Sequence, residues 1–360
     1  MHAVLVGCLA FVAAIAAGCG STRQTVVPNV DTRAVCRDLV DSAGRHVRDA
    51  LVWHYPADEG ERRELGVWCQ TVGPGVLTRP RNAEAVSSST DLVVVSWNVH
   101  VGGGQLSAFI RDLRAGRFTN DAPPGGFVLL LQETFRSGGL VPGAVPAGAP
   151  VPDRIETTTP SGSRDDVLSV AEAEGLALLY VPSMRNGRDG SLRAEDRGNA
   201  VLSTFDLSDP TGIELPLVRQ RRVAVAATVS GLGPDQSPWR LRVVSVHLDA
   251  STGPRRLWLF TSAERERQVE HLVEILDNDR VATVVGSDLN TWAGGTREPA
   301  FVELGREFPQ AETGGRLARW FTLDYVFLRL PPSWRAESGP AVAAFGSDHR
   351  PILIRIRLGA

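Results

Sequence analysis

Carboxylate, amide and imidazole side chains recur in this 360-residue chain where apolar, strand-like runs end. Phosphate-ester hydrolysis needs a hard cation, a base that activates water, and donors for the charge that develops on phosphorus. Mg²⁺ prefers oxygen ligands, usually one or two carboxylates together with water and the substrate. The candidates are the carboxylates Glu133, Asp288 and Asp348, the amides Asn98 and Asn290, and His247 and His349 as acid and base. Asp324 lies at the end of another apolar strand, where a buried carboxylate needs a partner.

The runs that carry these residues predict a set of buried strands. They are Leu92–Ser96, Phe127–Leu131, Gly198–Ser203, Arg222–Val229, Leu241–Val246, Val281–Val285, Leu323–Leu328 and Ile352–Leu358. Strands buried on both faces need helical cover. Apolar residues keep helical spacing over 106–113 and again over 269–276. The pattern predicts an α/β (α+β) fold in which two packed sheets are flanked by helices.

The polar clusters also resemble, in order along the chain, the motifs of the endonuclease/exonuclease/phosphatase superfamily, the deoxyribonuclease- and sphingomyelinase-like metal-dependent phosphohydrolases. The motifs are Ser96-Trp97-Asn98-Val99-His100, Leu131-Gln132-Glu133-Thr134, Arg197–Ser203, Val246-His247-Leu248, Gly286–Asn290, Leu323–Phe327 and Gly346–His349. The resemblance spans about residues 91–358, so residues 91–360 are the predicted catalytic domain. It implies a four-layered αββα sandwich with two mainly antiparallel sheets.

The resemblance also implies a metal site and a substrate contact. Mg²⁺ or Mn²⁺ would be held chiefly by Glu133, with Asn98 and Asp348 close by. Arg197 and Asn199 of the third motif are the predicted substrate-binding residues.

The catalytic roles implied by the resemblance fall on five further residues. His349 would be the base or the imidazole that contacts the phosphate, oriented by Asp324. This agrees with elementary chemistry, because a histidine polarised by a buried carboxylate is a better base near neutral pH. His247 would be a second donor to the phosphate. Asp288 would position the water or the leaving group, with Asn290 beside it.

The amino terminus is predicted to be a targeting segment. The apolar run Ala3–Ala17 is too short to span a membrane and is typical of a signal-peptide core. Small residues before Cys19 resemble a bacterial lipobox, which predicts a signal peptide at 1–18, a tether at 19–30 and a lipid on Cys19. The alternatives are an ordinary secretory signal or an uncleaved anchor. We expect an exported chain, lipid-anchored to the bacterial cell membrane or secreted.

Residues 31–90 are predicted to form a helical preamble outside the catalytic domain. The spacing of apolar residues over Asp31–Tyr55 favours a helix, and the polar, proline-containing stretch Thr78–Thr90 favours a linker. Export leaves Cys36 and Cys69 as a pair in an oxidising compartment, which predicts a disulfide, whereas two buried free thiols are the alternative.

Two further segments allow two interpretations each. The Gly/Pro-rich stretch Ser137–Asp166 is either a lid over the site or a disordered surface insertion. Arg219, Arg221 and Arg222 form either a local basic patch or, as we favour, a solvated start to the next strand.

Composition narrows the function. The 38 basic residues, all arginine, nearly balance 41 acidic ones, and the formal charge of −3 argues against a protein that coats nucleic acid through bulk positive charge. All the candidate carboxylates and histidines at the strand ends are present, which favours an exported phosphodiesterase or phosphomonoesterase that acts by in-line attack of water. The alternative is a catalytically inactive, surface-anchored binding module. DNA, a sphingomyelin-like phospholipid and a soluble phosphoester remain candidate substrates, and no obligate protein partner is implied.

Overall fold

The structure is a computed structural model. It describes residues 27–29, 35–48, 51–81, 91–144, 148–150, 163–186, 194–233, 235–250, 262–277, 280–292, 294–313 and 322–359. The predicted signal peptide, Cys19 and half of the Ser137–Asp166 stretch lie outside these residues. None of the described helices is long and apolar enough to cross a membrane.

Two eight-stranded sheets form the centre of the described chain. The first contains, from edge to edge, β1 (Val27–Asn29), β3 (Val52–Tyr55), β9 (Ser208–Glu214), β10 (Val223–Leu232), β11 (Pro238–His247), β12 (Thr283–Asp288), β14 (Asp324–Arg329) and β13 (Gln310–Thr313). The second contains β15 (Arg335–Ser338), β16 (Ile352–Arg357), β5 (Asp91–Asn98), β6 (Phe127–Ser137), β8 (Glu195–Ser203), β7 (Ala177–Arg185), β4 (Gly75–Thr78) and β2 (Leu39–Val40). Most neighbouring strands run antiparallel, but four pairs are parallel: β11 with β12, β5 with β6, β3 with β9 and β2 with β4.

Helices cover the outer faces of both sheets. The described helices are α1 (Glu59–Cys69), α2 (Leu106–Arg114), α3 (Val167–Glu174), α4 (Ser262–Leu276) and α5 (Pro299–Glu307). Because side chains alternate along a strand, Leu92 and Val94 of β5 face the first sheet, whereas Val93 and Val95 pack against α2 and α3. Helices α4 and α5 cover the first sheet. The layers confirm the predicted αββα sandwich with mainly antiparallel sheets.

The preamble is part of both sheets rather than a separate helical unit. Strand β3 pairs in parallel with β9, β1 pairs with β3, and β4 pairs with β7. The last residues of the predicted tether therefore form an edge strand. The helix predicted over Asp31–Tyr55 is wrong, because Val35–Arg37 is a single 3₁₀ turn and two short strands follow it. Trp53 and Tyr55 are buried, whereas the residues between and before them are more exposed, which is the two-residue period of a strand. The spacing of the apolar residues did not indicate this period.

The disulfide between Cys36 and Cys69 is confirmed, with Cα atoms 5.5 Å apart. It joins the 3₁₀ turn to the end of α1, and both cysteines are buried. The bond closes a loop of preamble that contributes β2 and β3 to opposite sheets. It therefore fixes how this segment spans the edge of the sandwich.

A buried ion pair fastens the end of this segment to the second sheet. The Arg136 guanidinium donates to both carboxylate oxygens of Asp196, at 3.0 and 2.5 Å, and its Nη1 donates to the Pro74 carbonyl. Asp196 also accepts from the Tyr180 hydroxyl and the Gly73 amide. Both charged side chains are fully buried, so removing one partner leaves the other without compensation.

We expect Arg136→Met to lower the free energy of unfolding by about 3–5 kcal/mol, because Asp196 is left buried without its countercharge. Denaturant unfolding followed by circular dichroism measures the change. The double variant Arg136→Met/Asp196→Leu should recover part of the loss. The matched control is Arg240→Met, which breaks an exposed pair with Asp209 and should cost less than about 1 kcal/mol. Equal losses in Arg136→Met and the control would contradict the structural role of the buried pair.

Candidate active site

Strand register aligns three of the candidate residues side by side. His247 at the end of β11 is the register partner of Asp288 at the end of β12. Asp288 in turn pairs with Asp324, which begins the antiparallel strand β14. Since neighbouring strands lie about 5 Å apart, these residues form one row at the edge of the first sheet. Asn98, at the end of β5, reaches the same place from the second sheet.

Glu133 is directed into the site by a β-bulge in β6. The pairing of β6 with β8 shifts register between Leu131 and Thr134, and Glu133 has a φ of 50°. Leu131 packs against the helix layer, while Gln132 points between the sheets and donates to Ser245 Oγ at 3.0 Å. The extra residue of a bulge re-aims a side chain. Glu133 Oε1 consequently lies 3.9 Å from His247 Nδ1.

The two sheets approach closely just beneath the site, at Gly286. A Cβ at this position would lie 2.7 Å from Ser96 Oγ and 2.9 Å from Leu130 Cβ. Only glycine permits this approach. The neighbouring Ser287 is accommodated without any break in the pairing of β12, because its hydroxyl donates to the Tyr325 carbonyl.

His349 is held by Asp324 in the arrangement of an oriented acid or base. Its Nδ1 lies 3.0 and 2.8 Å from the two carboxylate oxygens of Asp324. Trp97 Nε1 donates to the His349 carbonyl, and the His349 amide donates to Ser347 Oγ, so the backbone is fixed as well. The bond at Nδ1 directs Nε2 towards the other carboxylates of the site.

The charge around His349 favours its protonated form. Nε2 lies 3.9 Å from Asp288 Oδ2 and 3.8 Å from Asp348 Oδ1. Burial alone lowers the pKa of His349, but Asp324 first, and then Asp288 and Asp348, raise it to about 10.

Asp288 lies at the centre of the site. Its Oδ2 accepts from Asn98 Nδ2 at 2.9 Å and lies 3.5 Å from His247 Nε2, while Oδ1 accepts from the Asn290 amide. Burial raises the pKa of Asp288, against the opposing effects of His349 and Asn98. The side chain of Asn290 completes the contact, because its amide nitrogen lies 2.9 Å from His247 Nε2 and donates to the Leu248 carbonyl.

The donor set fits a hard divalent cation. Glu133 is partly exposed and Asp348 is about half exposed, so both carboxylates are accessible at the mouth of the site. Asn98 turns its amide nitrogen to Asp288, and its oxygen accepts from the His100 amide. Oxygen ligands of this kind suit Mg²⁺ or Mn²⁺. No hydrogen bond among the described residues joins Glu133 to the other two predicted ligands; Glu133 lies instead on the His247 side.

A tighter cluster of potential ligand atoms comes from Asp288, Asp324 and His349, within 4.8 Å of one another. We interpret this cluster as the acid–base unit rather than the cation site. Both oxygens of Asp324 already accept from the imidazole, and His349 Nδ1 is committed to that bond. Only Nε2 of His349 remains open to a substrate or to water.

His100 and Arg222 also contact the site, although neither was predicted as a site residue. His100 Nδ1 lies 2.7 Å from Asp348 Oδ1, and this hydrogen bond helps to lower the pKa of Asp348 although burial raises it. Arg222 Nη1 donates to His247 Nδ1 at 3.1 Å. His100 lay within a quoted motif, which was a usable signal; no local pattern indicated that Arg222 is buried.

The solvated interpretation of the arginine cluster is wrong for two of its three members. Arg221 is fully buried against Glu214, and Arg222 is 6% exposed, whereas Arg219 is exposed. Strand β10 enters the sandwich immediately after Arg222, which takes both side chains inside.

The predicted substrate-binding residues line a small pocket between the two sheets, here called the Arg222 pocket. Its walls include Glu133, Ser183, Arg197, Asn199, Arg222 and His247. Asn199 Nδ2 donates to the Val223 carbonyl at 2.7 Å, which fixes the amide. Arg197 is 7% exposed, so its guanidinium also belongs to the wall of the pocket.

The chain is similar to one family of known proteins and to several solved structures. Residues 95–349 match the model of the Endonuclease/Exonuclease/phosphatase family. A structure of an endonuclease/exonuclease/phosphatase from Beutenbergia cavernae DSM 12333 is 20% identical, covers 75% of this chain and 72% of that one, and has a TM-score of 0.49. The human nocturnin catalytic domain is 15% identical, over 78% and 96% of the two chains, with a TM-score of 0.45. Sphingomyelinase C from Streptomyces griseocarneus is 16% identical, over 74% and 99%, with a TM-score of 0.43. No curated protein matches the chain significantly.

The position of Asp324 predicts a measurable titration. Removing its charge in Asp324→Asn should lower the pKa of His349 from about 10, because the carboxylate that favours the imidazolium is gone. Imidazole signals followed by NMR against pH, in chelator, measure this, with His349→Ala identifying the resonance. The exposed substitution Asp209→Asn is the control and should leave the titration in place. An unchanged titration in Asp324→Asn would refute the pairing.

Proposed function

The chain belongs to the endonuclease/exonuclease/phosphatase family, and on that premise we propose that it is a divalent-metal-dependent phosphoesterase acting by in-line attack of an activated water. Members of the family are generally metal-dependent phosphoesterases. The observation that carries the proposal is the bond from His349 to Asp324, which leaves Nε2 facing Asp288 and Asp348. An imidazole with one nitrogen fixed and the other open is the arrangement that proton transfer requires.

His349 moves the proton in this proposal. Asp324 fixes the ring by accepting from Nδ1, so any exchange with the attacking water or the phosphate takes place at Nε2. Asp288, which lies beside Nε2 and accepts from Asn98, orients the water or the leaving group. Burial of these side chains excludes bulk water and strengthens each electrostatic contact.

His247 supplies a hydrogen bond from the other side of the site. Both neighbours of the ring, the Arg222 guanidinium at Nδ1 and the Asn290 amide nitrogen at Nε2, carry donor hydrogens, so these two contacts do not define the ring tautomer. Nε2 is the nitrogen nearer to Asp288 and Asn290. In this proposal His247 contacts the phosphate as a second donor, with Asn290 beside it.

Glu133, Asn98 and Asp348 would hold Mg²⁺ or Mn²⁺. A bound divalent cation neutralises charge on the phosphoryl oxygens and so favours attack by water. His100 fixes Asp348 through the contact between its Nδ1 and Asp348 Oδ1.

The key test uses phosphorus NMR on the chain beginning just after Cys19, with a DNA duplex, sphingomyelin micelles and an inositol polyphosphate as substrates. We expect Mg²⁺-dependent, chelator-sensitive loss of one substrate signal. His349→Ala should slow turnover about 100- to 10,000-fold, the usual contribution of a general acid or base, and Glu133→Gln should also be severely impaired. His46→Ala and Glu64→Gln change the same residue types at exposed positions and serve as controls.

Near-wild-type turnover in His349→Ala or Glu133→Gln would overturn these roles. A folded protein that neither hydrolyses these substrates nor binds the metal would instead favour an inactive binding module.

We also propose that the chain is exported and held at the bacterial membrane by a lipid on Cys19. The disulfide supports an oxidising compartment. Mass spectrometry of protein from the membrane fraction should find diacylglycerol on Cys19 and no residues before it. Cys19→Ala should release the protein or leave its signal uncleaved, whereas an unmodified Cys19 in the mature protein would contradict the anchor.

A further inference from the structure

Phe345 has a strained backbone just before the site residues of the last motif. Its φ is 49°, in the left-handed region that bulky side chains rarely adopt, and Gly346 follows with a φ of 91°. Residues 344–349, here called the His349 turn, carry both Asp348 and His349. A strained conformation persists only where the surrounding structure holds it, and such strain is concentrated at functional sites. The contacts of Phe345 therefore need a functional explanation.

Four aromatic side chains, here called the aromatic cluster, surround this strained residue. The ring of Phe345 meets Phe109 edge to face, with centroids 5.5 Å apart, and lies 6.1 Å from Phe118 and 6.4 Å from Trp97. Trp97 and Phe109 are buried. The Phe345 carbonyl accepts from the Gln105 amide at 2.7 Å. Both the ring and the carbonyl of Phe345 are thus held in place.

The aromatic cluster also contacts the end of the His349 turn. Trp97 Nε1 donates to the His349 carbonyl at 3.1 Å, while the indole ring packs against Phe345. A Cβ at Gly104 would lie 2.6 Å from the Trp97 ring, so the loop after β5 leaves the indole little room to move. One group of side chains on the helix side of the second sheet therefore holds the turn at two points.

We propose that Phe345 is a positioning residue for catalysis, because its ring, packed in the aromatic cluster, holds the His349 turn in the strained conformation that directs Nε2 of His349 towards Asp288. The inference rests on the proposed function. In this arrangement Nε2 lies 3.9 Å from Asp288 Oδ2. Proton transfer needs groups within hydrogen-bond reach, so a shift of about 1 Å in the turn slows turnover although every catalytic group is still present.

The variant Phe345→Gly separates positioning from packing. It removes the ring, but it also relieves the backbone strain, because glycine adopts a positive φ without a steric cost. These effects on stability oppose each other, so the midpoint of denaturant unfolding should stay close to that of the wild type. We expect kcat to fall about 10- to 100-fold for the phosphoester that the wild type hydrolyses, with KM changed less.

The variant Trp97→Phe tests the other point at which the turn is held. It keeps an aromatic ring in the cluster but cannot donate to the His349 carbonyl, so kcat should fall. The double variant Trp97→Phe/Phe345→Gly should lose less than the product of the two single losses, because both residues act through one turn. Fully independent losses would contradict this shared route.

The matched control is Phe205→Ala, which removes a buried phenyl ring from another edge-to-face pair. Phe205 packs against Trp239, with centroids 5.4 Å apart, beyond the carboxyl end of β8. This variant should unfold at a lower denaturant concentration but keep the wild-type kcat. Circular dichroism verifies that each variant is folded.

A second readout requires no turnover. The Nδ1 proton of His349 donates to Asp324, and its exchange with water reports how firmly the ring is held. Imidazole ¹⁵N–¹H spectra in chelator measure this exchange, with His349→Ala identifying the signal. Exchange should be faster in Phe345→Gly than in the wild type or in Phe205→Ala.

Wild-type kcat in Phe345→Gly would overturn the inference while leaving the proposed function intact. If the wild type with metal bound hydrolyses no phosphoester, the proposed function fails and the exchange of the imidazole proton decides the inference alone. Faster exchange in Phe345→Gly would then support the positioning of His349, and unchanged exchange would refute it.

Discussion

The active site brings several negatively charged carboxylates close together, and the rest of the structure has to stabilise this arrangement. The carboxylates of Asp288, Asp324 and Asp348 converge around the imidazole of His349, and carboxylates this close repel each other unless cations and donors offset their charge. The imidazolium supplies one such charge, and Asn98 supplies a hydrogen bond to the most buried carboxylate. These groups cannot move apart, because they lie at the edge of a sheet whose strand register is fixed. The buried cores on both faces of the sheet fix that register.

The segment before the family motifs also supports this edge. Arg221 donates to Glu214 and to the carbonyls of two residues in β7, and its Nη2 lies 3.5 Å from Cys36 Sγ of the disulfide. The next residue, Arg222, contacts His247 in the site. One buried arginine thus connects the disulfide-closed segment to the strand that carries a functional side chain. The disulfide therefore packs directly against the arginine that precedes Arg222 in the chain.

Elements with a strong local hydrophobic pattern could be predicted from the sequence. Elements that depend on contacts with residues far along the chain could not. Apolar runs ending in polar clusters located the row of His247, Asp288 and Asp324, since buried strands have a strong local signature. The helix predicted over Asp31–Tyr55 failed because a two-residue strand and a 3₁₀ turn are stabilised by partners far along the chain. The bulge that re-aims Glu133 has no local signature either. An arginine beside a strand is normally solvated, so only the packed structure reveals where Arg222 lies.

The two histidines divide the site into halves of opposite charge. His349 has carboxylates on both nitrogens, an environment that favours the imidazolium. His247 has the Arg222 guanidinium 3.1 Å from Nδ1 and the Asn290 amide nitrogen 2.9 Å from Nε2, so donor groups rather than carboxylates are its nearest neighbours. Glu133 lies 3.9 Å from His247 and so marks the boundary between the acidic half and the Arg222 pocket. The two halves meet at the row of strand ends, where Asp288 accepts from Asn98 and lies 3.5 Å from His247. The charge of this single buried carboxylate is therefore shared between an acidic environment on one side and donor groups on the other.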